Sequence, residues 1–230
     1  LVRHAVGELD ARGVATARIR CRPSCHGAPE DTVRFALLNA GFTVEEADLA
    51  FVLDLRGLGT AEDWVAARKP PFRRALRHAE PDLHVLRDTD DWARTFAILE
   101  ANRAEKGRTL SIGLEQVLAV RDAFPGRVRL AELRRDGVPV AAALTYRASQ
   151  RADLVVAWGD AEHDLDRSPM PVLALRLVER ALDEGLHALD LGTSTLVAPD
   201  GSRVPNDGLV QFKRVCGAVA ELRPVLVRAR

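Results

Sequence analysis

Asp136-Gly137 constrains this chain more than any other pair of residues. It is a two-residue hairpin signal set between two strand-like apolar runs, Val128 to Arg134 and Val138 to Tyr146. A polar connection, Ala148 to Ala152, leads to a third run, Leu154 to Trp158, so the sequence predicts an antiparallel meander. A helix from Pro169 to Glu184 follows, stopped by Gly185, and a strand begins at Leu186. A strand-helix-strand crossover implies parallel pairing, which makes the fold class α/β with a mixed sheet.

The C-terminal stretch concentrates the chemistry. His187-Ala188-Leu189-Asp190-Leu191 reads as a short strand that Gly192 ends. The loop from Gly192 to Asp207 carries Thr193, Ser194, Thr195, Asp200, Ser202, Arg203 and Asn206. Gly208 to Val215 then turns helical before Gly217, and a last strand runs to Val225. Only three of the 33 basic residues are lysines, Lys69, Lys106 and Lys213, so Lys213 beside Phe212 at this junction draws notice. Asp190 ends a strand where open α/β sheets place ligands. It reads either as a base or acceptor-orienting group, or as a carboxylate holding the N–H groups of Thr193 and Ser194.

The first 55 residues repeat the last 60 in outline. A helix stopped by Gly13, a strand from Val14 to Cys21, a helix from Thr32 to Asn39 and strand-like runs from Phe42 to Leu55, broken near Ala47-Asp48, give helix-strand-helix-strand. This predicts a duplicated unit whose first copy lacks its meander, so that 1–55 superposes on about 170–227. Residues 1–60 are then the end of a first unit, 61–80 a linking segment and 81–230 a complete second unit. In the linker, helices from Ala61 to Ala67 and Phe72 to Ala79 flank Pro70-Pro71. Arg73, Arg74 and Arg77 there form either an anion contact or a solvated face. Leu83 to Leu86 reads as a short strand, and Asp90 to Lys106 and Leu114 to Ala123 as helices.

Of 230 residues, 47% are hydrophobic, enough for a substantial core, and the formal charge is zero, so any polyanion site must be local. No apolar run approaches the roughly 18 residues of a membrane span, and no basic-then-apolar leader opens the chain. A cytoplasmic protein is expected, with a native start upstream of Leu1. Three cysteines suit a reducing compartment. Cys21, Cys25 and His26 lie close together without a second ligand pair at zinc spacing, so no metal is expected.

Meander, helix, strand, short helix and strand is also the order of the GNAT N-acyltransferase fold, and the local text resembles its FemAB-like branch, in which two such units stand in tandem. The matching residues are Asp136-Gly137-Val138-Pro139-Val140-Ala141-Ala142, Ala157-Trp158-Gly159, Asp190-Leu191-Gly192-Thr193-Ser194, Gly208-Leu209-Val210-Gln211-Phe212-Lys213 and Gly217. The segment Phe72 to Arg77 resembles the family's arginine-rich helix.

The resemblance implies transfer of an acyl or aminoacyl group from acyl-CoA or aminoacyl-tRNA to a small-molecule or peptide amine. It implies that Lys213 and Asp190 serve catalysis, Lys213 by placing positive charge near the oxyanion or a substrate phosphate at the cleft mouth; the alternative for Lys213 is an ordinary helix-surface charge. Substrate contacts are implied for Phe212, Trp158, Thr193, Ser194, Asn206, Gln211, Arg73 and Arg74. Donor contacts at the helix start are implied for Ser168 and Met170. The 187–191 strand is expected to pair parallel with the third meander strand near Trp158 and then splay, with a bulge near Trp158 supplying a polarising N–H. One departure stands out. The loop before the Pro169 helix, where acetyl-CoA enzymes cradle pyrophosphate, holds Asp160, Glu162, Asp164 and Asp166 against Arg167, with no glycine after Gly159. A non-catalytic module that binds a peptide or nucleotide-linked ligand is the alternative, favoured by a closed groove between the Trp158 and Asp190 strands.

Overall fold

The computed structural model describes residues 1–27, 30–79, 83, 86–161 and 168–229. In chain order the helices and strands are α1 (Val2–Ala11), β1 (Thr16–Arg20), α2 (Glu30–Leu38), β2 (Thr43–Asp54), α3 (Ala61–Ala66), α4 (Pro70–Ala79), β3 (Arg87–Asp88), α5 (Trp92–Ala104) and α6 (Leu114–Ala123). The meander β4 (Val128–Arg135), β5 (Val138–Arg147) and β6 (Ala152–Asp160) follows, then α7 (Met170–Asp183), β7 (Ala188–Thr193), β8 (Thr195–Val197), β9 (Arg203–Pro205), α8 (Asp207–Val215) and β10 (Val219–Ala229). Among the described residues one mixed sheet holds eight strands in the order β1-β10-β2-β7-β6-β5-β4-β3.

The hairpin turns at Asp136 and Gly137, both at positive φ (49° and 79°), the geometry that a two-residue turn between right-twisted strands requires. Strand β5 is buried along most of its length because both faces are covered. Leu130, Ala142, Leu144 and Ala157 face Phe96 and Leu99 of α5, while Leu133, Ala141, Ala143 and Trp158 join Leu173 and Leu177 of α7 in the larger core. Helix starts follow local chemistry. Thr60 and Asp63 form a capping box on α3, Asp91 caps α5 and Asn206 caps α8.

Several expectations are corrected. Residues 43–54 form one continuous strand with no break at Ala47-Asp48. β10 pairs with β2 from Val52 back to Thr43, and Arg20 and Arg203 neutralise the buried Asp48. Pro70 and Pro71 do not interrupt a helix; they open α4, where missing N–H groups cost nothing. Of the expected strand Leu83 to Leu86, Leu83 and Leu86 are buried in the core and belong to no strand, while His84 and Val85 lie outside the described residues; the short strand among the described residues is Arg87–Asp88, paired with Glu132 and Ala131. The loop after β7 folds back as the β8-β9 hairpin, which the polar composition concealed.

The two ends of the chain exchange strands. β1 pairs antiparallel with β10, β7 pairs antiparallel with β2, and β10 and β2 form the antiparallel pair between them.

Candidate functional site

Strands β6 and β7 run parallel only at Ala152↔Ala188, Asp153↔Leu189 and Leu154↔Asp190, then part. Pairing therefore lies at the start of β6 and not near Trp158. Each strand is irregular where they separate. Val156 falls between the β5 partners of Val155 and Ala157, and β7 has an extra residue around Gly192, which adopts φ +72°. The bulge on β6 thus lies two residues before Trp158.

Helix α8 fills the fork. Phe212 packs edge-on against Trp158 with ring centroids 5.3 Å apart. Lys213 is 1% exposed, its Nζ donates to the carbonyls of Gly192 (2.9 Å) and Thr193 (3.0 Å), and it lies 5.7 Å from the centre of the Phe51 ring. Burial lowers the Lys213 pKa to about 7, with Asp190 pulling it up and Arg103 pushing it down. The ammonium is therefore neither at the mouth of a cleft nor on a helix surface. It ties α8 to the β7 bulge.

Asp190 is fully buried. Its Oδ1 accepts from the N–H of Gly192 at 2.8 Å, while Ser194 N–H goes to Leu49 O. Its Oδ2 lies 2.8 Å from His26 Nε2, within ion-pair range, and neither atom has a hydrogen-bond partner among the described residues. His26 sits on the single 3-10 turn Ser24–His26 that follows β1. Beside it, burial and then Asp190 push the Cys25 thiol up to about 12, which leaves it protonated and unreactive. No cluster of three or more His, Cys, Asp or Glu able to hold a metal occurs among the described residues.

The open space lies on the other side of the aromatic pair. A cavity of about 250 Å³ is walled by Trp158, Gly159 and Asp160 at the end of β6, by Asn102 and Arg103 of α5 with Lys106 and Arg108 just beyond it, by Met170, and by Asn206, Gly208, Leu209 and Phe212 at the start of α8. Burial lowers the pKa of both Arg103 and Lys106. Asn102, 4% exposed, organises this wall. Its Nδ2 donates to Asp160 O (3.0 Å) and Oδ1 (2.9 Å), and its Oδ1 accepts from Lys106 Nζ at 2.8 Å. Gly159 makes the approach possible, because a Cβ there would lie 2.7 Å from Asn102 Cγ. Gly159→Ala is therefore expected to displace Asn102 and cost about 1–3 kcal/mol in urea unfolding, the range for overpacking. A cost within 0.5 kcal/mol would show that the wall yields freely.

A family model described as an acetyltransferase (GNAT) domain matches residues 67–213, from the end of α3 to Lys213. The chain belongs to this family. No curated protein matches the sequence. As a GNAT-family acyltransferase it has the FemAB-like fold, similar to the crystal structure of FemX over all of this chain and 75% of that one, at 12% identity and a TM-score of 0.76. It is also similar to the C-terminal domain of a putative lysylphosphatidylglycerol synthetase from Agrobacterium fabrum (99% and 73% of the two chains, 14% identity, TM-score 0.64) and to L-PGS from Bacillus licheniformis (100% and 72%, 13% identity, TM-score 0.58). At these identities the likeness concerns the fold.

In this GNAT domain the cavity gathers Trp158, Phe212, Asn206 and Met170 from the expected site residues. Lys213, Asp190, Thr193 and Ser194 cluster instead behind the aromatic pair as the packing of the β7 bulge. Gln211 points to solvent. Arg73 and Arg74 are exposed on α4, whose Phe72 and Leu76 are buried in the core shared with α7. Ser168 does not cap α7 as N-cap, a place Pro169 takes, but its Oγ accepts from Met170 N at 3.3 Å and donates to Asp160 Oδ2 at 3.0 Å. Glu162, Asp164, Asp166 and Arg167 of the acidic loop lie outside the described residues. The sequence reading missed Asn102, Arg103, Lys106, Arg108 and Asp160 as lining residues. The rarity of lysine, already the signal for Lys213, applied equally to Lys106. The groove between β6 and β7 is closed by α8, as expected of a non-catalytic binding module, but the family match makes the domain an acyltransferase, and a cavity lies beside the closed groove. No described helix is long and apolar enough to cross a membrane.

Proposed function

We propose that this domain transfers an acyl or aminoacyl group from a phosphate-bearing donor, an acyl-CoA or an aminoacyl-tRNA, to an amine, and that the cavity beside Trp158 and Phe212 is where donor and acceptor meet. The observation that carries this reading is the presence of Arg103, Lys106 and Arg108 together in the wall of that cavity. Partly desolvated cations gain most from an anionic ligand, and guanidinium matches phosphate geometry. Trp158 and Phe212 supply an apolar wall that keeps water from the reacting carbonyl. The neutral amine attacks the carbonyl, the tetrahedral intermediate collapses with cleavage of the C–S or C–O bond to the donor, and the proton shed by the amine ends on the departing thiolate or ribose oxygen.

The strand exchange between β1/β10 and β7/β2 supports a second proposal, that residues 1–55 are a partial copy of the unit at 170–227.

The donor is tested by thermal shift with acetyl-CoA, palmitoyl-CoA and lysyl-tRNA. One class is expected to stabilise the protein, and Arg103→Ala and Lys106→Met are each expected to weaken that donor by about tenfold or more, the worth of one charged hydrogen bond. No shift with any of the three, or unchanged affinity in both variants, would sink the proposal.

A further inference from the structure

Asp160 is the one carboxylate that lines the cavity among the described residues; the charged residues around it are Arg103, Lys106 and Arg108. Both of its oxygens are fixed, Oδ1 by Asn102 Nδ2 at 2.9 Å and Oδ2 by Ser168 Oγ at 3.0 Å. Lys106, the nearby ammonium, is turned to Asn102 Oδ1 at 2.8 Å, so the amide of Asn102 stands between cation and carboxylate. The amide that separates them is itself buried and depends on the missing side chain of Gly159. The cavity wall therefore has a negative corner at Asp160 and a cation, Lys106, held off it by one residue.

A ligand that offered only phosphates would be served by the cations and repelled by Asp160. A ligand bearing a primary ammonium matches the corner, and the remaining acceptor capacity of an oriented carboxylate suits its three donors. We propose that Asp160, held by Asn102 and Ser168, is a subsite for a primary ammonium. Two substrates of the transfer proposed above bring that group: the acceptor amine, and the α-ammonium of an aminoacyl donor. The subsite rests on that reading only for which of them occupies it.

The test begins without any donor. Calorimetry with L-alaninamide, which has an ammonium and no carboxylate, is expected to show binding to the wild type, and neutral propionamide at least tenfold weaker binding. Asp160→Asn, which keeps size and the contact to Ser168, should weaken alaninamide at least tenfold; if that variant does not fold, Asp160→Ser makes the same comparison. Alaninamide bound no better than propionamide, or equally by wild type and variant, overturns the proposal whether or not a donor is ever turned over. Steady-state arms then separate the sources. With an acyl-CoA, which lacks an ammonium, Asp160→Asn should raise the acceptor KM at least tenfold more than the donor KM. A rise confined to the KM of lysyl-tRNA assigns the subsite to the donor.

Discussion

Lys213→Met is expected to fall progressively behind the wild type in stability as pH rises from about 7 to 10.5. The unfolded lysine keeps its proton up to its usual value of 10.5, whereas burial makes the folded one give it up near 7. Between those values the unfolded state binds more protons, so raising the pH favours folded wild type by up to about 1.4 kcal/mol per unit, about 4 kcal/mol over the window. Below pH 7 both states are protonated and the folded protein carries the full cost of a buried cation. The neutral amine still has two N–H groups, one each for the carbonyls of Gly192 and Thr193. Methionine donates to neither and has no titration of its own, so at high pH it leaves both carbonyls without this partner. Urea unfolding of the two proteins at pH 6, 8 and 10 measures the difference, and parallel pH profiles would refute the buried, shifted lysine.

The second large effect is expected at His26. His26→Ala removes the one basic side chain within 4 Å of the fully buried Asp190 carboxylate among the described residues, leaving it the Gly192 N–H. Breaking a buried pair from one side leaves an uncompensated charge, and a loss of about 3 kcal/mol or more is expected in denaturant unfolding. The double variant His26→Ala with Asp190→Asn should recover much of that loss, because the amide carries no charge to strand. If the double variant is as unstable as the sum of the singles, the two residues are uncoupled and the 2.8 Å approach has no energetic weight.

The expected element types were read well where local chemistry decides them. Leu114–Ala123 falls on its predicted bounds, and Asp136-Gly137 turns as its residues require. Errors arose where a partner strand overrides local polarity. Asp48 looked like a turn residue until Arg20 and Arg203 reached it from β1 and β9, one of them 155 residues away in sequence. The site followed the same division. Trp158 and Phe212 were found from their neighbours in the chain, but Asn102, Lys106 and Asp160 meet across 58 residues, and nothing local to α5 marks its last turn as a cavity wall.

By itself the sequence determined the order of the main helices and meander strands, the direction of the crossover and the acyltransferase fold class. Hairpin turns, helix stops and apolar periodicity are encoded within a few residues of where they act. Only the tertiary structure decided where Lys213 and Asp190 sit, because a charged side chain reads the same in sequence whether it faces solvent or core. The fork closes over both of them, and at 1% and 0% exposure they hydrogen-bond the backbone of the β7 bulge. The same closure leaves a cavity on the far side of Trp158, walled by side chains that only the packing of α5 against β6 brings together.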